Sequence, residues 1–193
     1  SFWNQPAAAD IINKLAADIN TAYKNHAENS WQWFDNELTY CNAVLPHAML
    51  CAYDIAKIDD FKTTGLNSLK FLLNKTFYED IFHPIGCKGW QQKDNSAAVF
   101  DEQPVEACAT LLACLKAYKL TNEAYYLQCA KNCFEWYLGK NISNLSLIDS
   151  DTGGCMDGIT QTGLNKNEGS ESLISWVISI STMNELKSHQ NIA

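Results

Sequence analysis

The 193-residue chain contains no arginine, so all of its positive charge comes from lysine. The bidentate contact that a guanidinium makes with phosphate or carboxylate groups is therefore missing, which argues against phosphorylated substrates. The formal net charge is -8, and no basic cluster occurs anywhere in the sequence. Because binding to a nucleic-acid backbone needs a basic surface, we expect no nucleic-acid partner.

Long apolar runs are also missing. No stretch approaches the roughly 20 apolar residues that a membrane-spanning helix requires, so we expect a soluble protein with no membrane partner. Hydrophobic residues nevertheless make up 47% of the sequence, which is enough for a sizeable core. Since domains commonly contain about 100 to 200 residues, residues 1–193 are predicted to form a single domain.

The eight cysteines include no CxxC pair of the kind found in zinc and redox sites. Several lie on apolar faces of predicted helices, and a chain of this size does not need disulfides for stability. We therefore expect free, buried thiols and a reducing, cytoplasmic compartment.

Metal and cofactor motifs are absent as well. The histidines show no HxxxH or HxH spacing, and the Asp- and Gly-rich segment 148–158 lacks the register of an EF-hand loop, so a polar turn is favoured there. The sequence contains no GxSxG, P-loop or dinucleotide-binding motif. We expect no metal and no cofactor.

What the sequence does contain is a series of helical segments with apolar residues at helical spacing. Prolines stand near predicted helix starts, and glycine follows one predicted helix end. The pattern predicts an all-α protein of antiparallel helical hairpins, with about six helices over residues 6–28, 42–57, 61–77, 104–120, 122–138 and 170–186.

An internal repeat relates these segments. An offset of about 65 residues superposes Ala52 and Tyr53 on Ala117 and Tyr118. The same offset makes Cys41, Glu106 and Glu171 equivalent, one near the start of each loop-preceded helix. Because each antiparallel pair returns the chain to its starting side, all the long loops are predicted to lie at one end.

Four segments carry a resemblance to a known family: WQWFDNELTYCNAVLPHAML, FDEQPVEACATLLACLKAY, WYLGKN and TGGCMDGITQTGLNKNEGSESLISW. They resemble the helical-toroid region found fused to bacterial glycosyltransferases, over Trp31 to Trp176. That region is an (α/α)6 toroid, similar in architecture to six-hairpin glycosidases and N-acylglucosamine 2-epimerases. The resemblance implies that this chain is the C-terminal half, a partial barrel. It also implies a carbohydrate ligand.

A glycosidase needs two carboxyl groups about 5 to 10 Å apart, one acting as acid and the other as nucleophile or base. We expect Asp101, Glu102 and Glu171 to supply this chemistry. Aromatic loop residues are expected to stack on sugar rings and polar ones to bind hydroxyls. The expected binding residues are Trp31, Trp33, Glu37, Asn42, Trp90, Gln103, Asn167 and Glu168.

Structural explanations compete with these roles. Each tryptophan could instead anchor its loop to the core. Asp101, Glu102, Glu168 and Glu171 stand near predicted helix starts, where a negative charge is stabilised by about 0.3 to 1 kcal/mol.

Other functions also remain open. An epimerase would need basic side chains on both sides of the sugar ring, for which His47 and His83 are the candidates. A non-catalytic accessory module for a glycosyltransferase domain is the main alternative, because Cys41 stands where the two sibling repeats have glutamate. A scaffold for protein ligands is a third reading. Three hairpins with apolar flanks also predict a homodimer that closes the ring.

Overall fold

The computed structural model describes the backbone of residues 6–190 and the side chains of residues 8–188. Within this range it is mainly helical, as predicted, with only short strand pairs. The six helices are α1 (Pro6–His26), α2 (Val44–Ala56), α3 (Asp59–Thr76), α4 (Pro104–Thr121), α5 (Ala124–Tyr137) and α6 (Ser170–Gln190).

Proline and left-handed residues set several helix ends. Pro104 is the first residue of α4, where its missing N–H is not needed, and Pro46 lies in the first turn of α2. The residues directly after α2 and α4, Lys57 and Asn122, both adopt the left-handed conformation. Each of these residues donates its N–H to the carbonyl four positions earlier, so the last turn of each helix is closed.

These two helix ends confirm the repeat. Lys57 donates to Tyr53 and Asn122 donates to Tyr118, and each partner pair is related by 65 residues. The next residue in each turn, Ile58 or Glu123, is extended and precedes the following helix. The same sequence of backbone conformations therefore folds α2 onto α3 and α4 onto α5.

The helices pack in two layers. One layer is a row in which α4 lies between α2 and α6. In the other layer, α1 packs on α2, while α3 and α5 pack mainly on their hairpin partners, α2 and α4. The shared core contains fully buried side chains from both hairpins, among them Leu50, Leu69, Leu111 and Trp136.

Short strands connect the long loops at one end of the hairpins. The loop after α1 provides β1 (Glu37–Leu38), which pairs with β4 (Gln91–Gln92) in the loop after α3. That second loop also forms a hairpin from β2 (Phe77–Tyr78) and β3 (Ile81–Phe82). The loop after α5 forms another from β5 (Gly158–Thr160) and β6 (Gly163–Asn165).

All eight cysteines are free thiols, and five of them are buried. Cys114, Cys129 and Cys133 are core residues contributed by the hairpin of α4 and α5. None of the described helices is both long enough and apolar enough to cross a membrane.

The close contact between α2 and α3 depends on Gly65. A Cβ atom built there would lie 2.8 Å from Cγ of Leu50, a fully buried side chain. We expect Gly65→Val to lower the free energy of unfolding by about 1 to 3 kcal/mol through overpacking. Urea unfolding followed by circular dichroism measures this. Thr63→Val, an exposed change on the same helix, is the control and should leave stability nearly unchanged.

Candidate functional site

A polar cleft lies at the loop end, with a volume of about 360 Å³. The loop before α4 lines one side of it and the hairpin before α6 lines the other. The side chains that matter most for chemistry are Asp101, Gln103, Asp157 and Glu171, joined by Cys87, Thr160, Asn165, Ser170 and Ser172. The structure thus brings together three residues predicted from the sequence, Asp101, Gln103 and Glu171.

Backbone pairing holds the two sides of the cleft together. Glu102 donates its N–H to the Ile159 carbonyl at 2.9 Å, and Ile159 donates back to Glu102 at 3.0 Å. Gly158 makes this approach possible, because a Cβ atom there would lie 2.0 Å from the Glu102 carbonyl oxygen. Gly158 also has a positive φ of 149°, which disfavours other residues. The cleft is therefore formed by main chain as well as by side chains.

Asp157 organises one side of the cleft. Its carboxylate accepts hydrogen bonds from the backbone N–H of Gly169 at 2.7 Å, the Ser172 hydroxyl at 2.6 Å and the Asn167 amide. Burial works to raise the pKa of Asp157, but these three donors outweigh it and the pKa is lowered. Asp157 thus holds the start of α6 as an anion. Asn167, which was predicted to bind substrate, donates its side-chain amide to this carboxylate.

Glu171 lies where the polar cleft meets an apolar groove along the row of helices. It lines both cavities, the second having a volume of about 460 Å³. The Tyr40 hydroxyl donates a hydrogen bond to its carboxylate, although the two residues are 131 positions apart. This bond raises the pKa of Tyr40 to about 12. Tyr40 was not among the predicted site residues.

Glu102, predicted as catalytic, is fully buried and does not line the cleft. The Trp136 indole N–H donates to one of its oxygens at 2.7 Å, and Nδ1 of His83 lies 2.7 Å from the other. Burial raises the pKa of Glu102, and the contact with Glu102 raises that of His83. This cluster joins the second long loop to α5, so in this structure Glu102 acts as an internal anchor.

We expect Glu102→Gln to lower the pKa of His83, because the carboxylate that stabilises the imidazolium is removed. NMR titration of the His83 ring measures the change. Glu171→Gln is the matched control, a neutralised carboxyl in the cleft, and should leave the His83 titration in place. An unchanged His83 pKa in Glu102→Gln would contradict the assigned contact.

Glu106, the sibling of Glu171 in the repeat, is buried behind the cleft with 3% of its surface exposed. Its carboxyl group accepts the backbone N–H of Cys41 and that of Asn42, the latter at 3.3 Å. Cys41 is thus bonded directly to the residue 65 positions later, its own repeat equivalent. Burial raises the pKa of Glu106 to about 7, against the hydrogen bonds that lower it.

This raised pKa predicts a pH-dependent stability. Between the ordinary glutamate value of 4.5 and about 7, the folded protein binds a proton at Glu106 that the unfolded chain does not. The contribution of this bound proton to the free energy of unfolding is therefore complete below pH 4.5 and is lost as the pH rises through 7. It amounts to roughly 3 kcal/mol. Denaturant unfolding from pH 4.5 to 8 should show this fall, and Glu106→Gln should reduce the slope. An equal slope in the variant would contradict the assignment.

Two of the predicted stacking residues are core residues. Trp31 and Trp33 are each 2% exposed, and both pack near Phe71, with the Trp31 ring 5.1 Å away and tilted edge-on. The Trp31 indole donates to the Asp35 carbonyl at 2.6 Å. Neither ring has a free face for a sugar. Both tryptophans therefore anchor their loop to the core, which was the alternative to sugar stacking. Trp90 is partly exposed but does not line the cleft.

The other predicted binding residues also have partners within the protein. Asn42 is buried and closes a turn with Thr39. The backbone N–H of Thr39 donates a hydrogen bond to the Asn42 side-chain oxygen at 2.9 Å. Glu37 accepts a hydrogen bond from Gln92 on the paired strand. Glu168 is exposed near the cleft and accepts the Thr152 hydroxyl at 3.3 Å.

The described residues contain no group of three or more His, Cys, Asp or Glu side chains arranged to hold a metal ion. No protein-family model matches the chain, and comparison with curated proteins finds no significant match. The chemistry of the cleft is therefore the basis for a functional assignment.

Proposed function

We propose that the chain is a carbohydrate-binding helical domain whose ligand occupies the polar cleft, with Asp101 and Glu171 as the candidates for acid and base in glycoside hydrolysis. The observation that carries the proposal is the cleft itself. It joins Asp101, Gln103 and Glu171 from the start of α4 and the start of α6. These residues come from the segments that resemble the toroid region of bacterial glycosyltransferases.

The cleft has the size and polarity that a sugar requires. Its volume of about 360 Å³ lies at the lower end of the usual range for ligand pockets, roughly 300 to 1,000 Å³. Carboxylate, amide and hydroxyl groups can satisfy the several hydroxyls of a sugar ring. Tyr40 is half exposed, is hydrogen-bonded to Glu171 and lines the adjoining apolar groove, so it provides an aromatic side chain beside the cleft in place of the buried tryptophans.

The helix arrangement supports a partial (α/α) toroid as the architecture. α2, α4 and α6 form a row that faces the apolar groove, and the other helices pack against it. The long loops that provide Asp101 and Asp157 lie at one end of that row. A toroid places its ligand at such an end because the loops converge there.

Binding and hydrolysis assays on a glycan panel, with the wild type, Asp101→Asn and Glu171→Gln, test the proposal. We expect each substitution to weaken sugar binding at least tenfold, and to abolish any hydrolysis, since each removes a charged hydrogen-bond acceptor from the cleft. Glu37→Gln, outside the cleft, is the control and should bind like the wild type. No binding to any glycan by the wild type would refute the carbohydrate assignment. Full activity in both variants would refute the assignment of the ligand to this cleft.

A non-catalytic accessory module for a glycosyltransferase domain is the second candidate. The observation that favours it is the structural use of Glu102 and Glu106, two carboxyls that bind protein groups rather than a ligand. In that case the wild type would bind glycans or a transferase domain without turnover. Hydrolysis by the isolated chain, lost in Glu171→Gln, would exclude this reading.

A further inference from the structure

Among the described residues, no helix packs on the outer side of α6, which ends the row of α2, α4 and α6. The repeat identifies this side, because positions that face the next helix in the row are buried on α2 and α4. Ala43, directly before α2, is fully buried and Cys108 on α4 is 5% exposed, whereas their equivalent on α6, Leu173, is 43% exposed. Cys108 contacts Ser179 of α6, which shows that this position faces the next helix. One turn further along α6, Val177 is 52% exposed.

The opposite end of the row has an apolar groove. It lies between α1 and α2, has a volume of about 620 Å³ and is lined mainly by Ile, Leu and Ala side chains. On α4, Ala113 and Ala117 are fully buried. Their equivalents on α2, Ala48 and Ala52, line this groove; Ala48 is partly exposed, and Ala52 lies at its base with 4% of its surface exposed. Small residues here leave room for the ridge of a neighbouring helix.

We propose that the two edges bind each other between two copies of this chain. The α6 edge of one copy, Leu173 and Val177, seats in the α1–α2 groove of the other, and the same contact recurs on the opposite side. Both edges have a counterpart in the contacts inside the chain. One side of α4 packs against α2, and the other side packs against α6. A second copy continues that helix row.

Charge does not oppose this association. The α6 edge is uncharged at Leu173, Val177 and Ile180. On the groove side Lys116 and Asp54 neutralise each other at 2.6 Å. Leu15, 58% exposed at the groove, adds apolar surface that a partner helix would cover. Two such contacts related by a two-fold axis produce a closed dimer rather than a growing chain.

Light scattering and sedimentation of the 193-residue chain over a range of concentrations test this proposal. We expect a dimer that Val177→Asp and Leu15→Asp each weaken at least tenfold, with helical circular dichroism retained because both side chains are exposed. Leu145→Asp, an exposed apolar position in a loop, is the matched control and should still dimerise. A wild type that remains monomeric at high concentration would overturn the proposal, as would assemblies that grow without limit.

Mixing the two edge variants gives a sharper test. A mixed dimer of Val177→Asp and Leu15→Asp places both substitutions in one contact and leaves the other contact intact. Each variant alone should be mainly monomeric, while an equal mixture should regain a one-to-one dimer. If α6 of one copy paired with α6 of the other, the mixed dimer would have an aspartate at position 177 in its single interface. Such a dimer would show no such recovery. Absence of recovery would therefore exclude the proposed pairing.

Discussion

The structure depends on one local constraint, the tight turn that reverses the chain between paired helices. In both hairpins a left-handed residue closes the first helix and an extended residue precedes the second. Lysine and asparagine fill the left-handed position, although glycine is commoner there. Because the same turn recurs 65 residues later, the long loops meet at the same end and can pair with each other. The cleft is a product of that meeting.

Carboxyl groups near helix starts fall into three kinds of environment. Glu106 and Glu102 are buried, so their charge is costly and their pKa values are raised, although the protein donors that they bind act in the opposite direction. Asp157 is held as an anion by three donors around the start of α6. Asp101 and Glu171 line the open cleft instead. Asp101, Glu102, Glu106 and Glu171 all lie within three residues of a helix start, and the loops decide which of them face solvent.

Much of the helical fold was predictable, because it follows from apolar spacing and from proline near helix starts. The ends of α4 and α5 lie within two residues of the predicted ends. The short strands were not predicted, since two or three residues leave no periodic signal. The positions of Trp31 and Trp33 could not be read from composition either, because a loop tryptophan can face inward or outward. Asp157 lies directly before a glycine in an Asp- and Gly-rich segment, a pattern that favoured a polar turn and gave no indication of its contact with α6.

The bond between Glu106 and the start of α2 has a consequence for folding. α2 has no side-chain cap of its own, since Ala43 precedes it. Glu106 of α4 accepts the N–H groups of Cys41 and Asn42, the residues of the turn that leads into α2. The N–H groups of this turn therefore have no protein partner until the next hairpin has docked. The two hairpins should form as one cooperative unit, unlike a linear array in which each repeat is stable with only its own contacts.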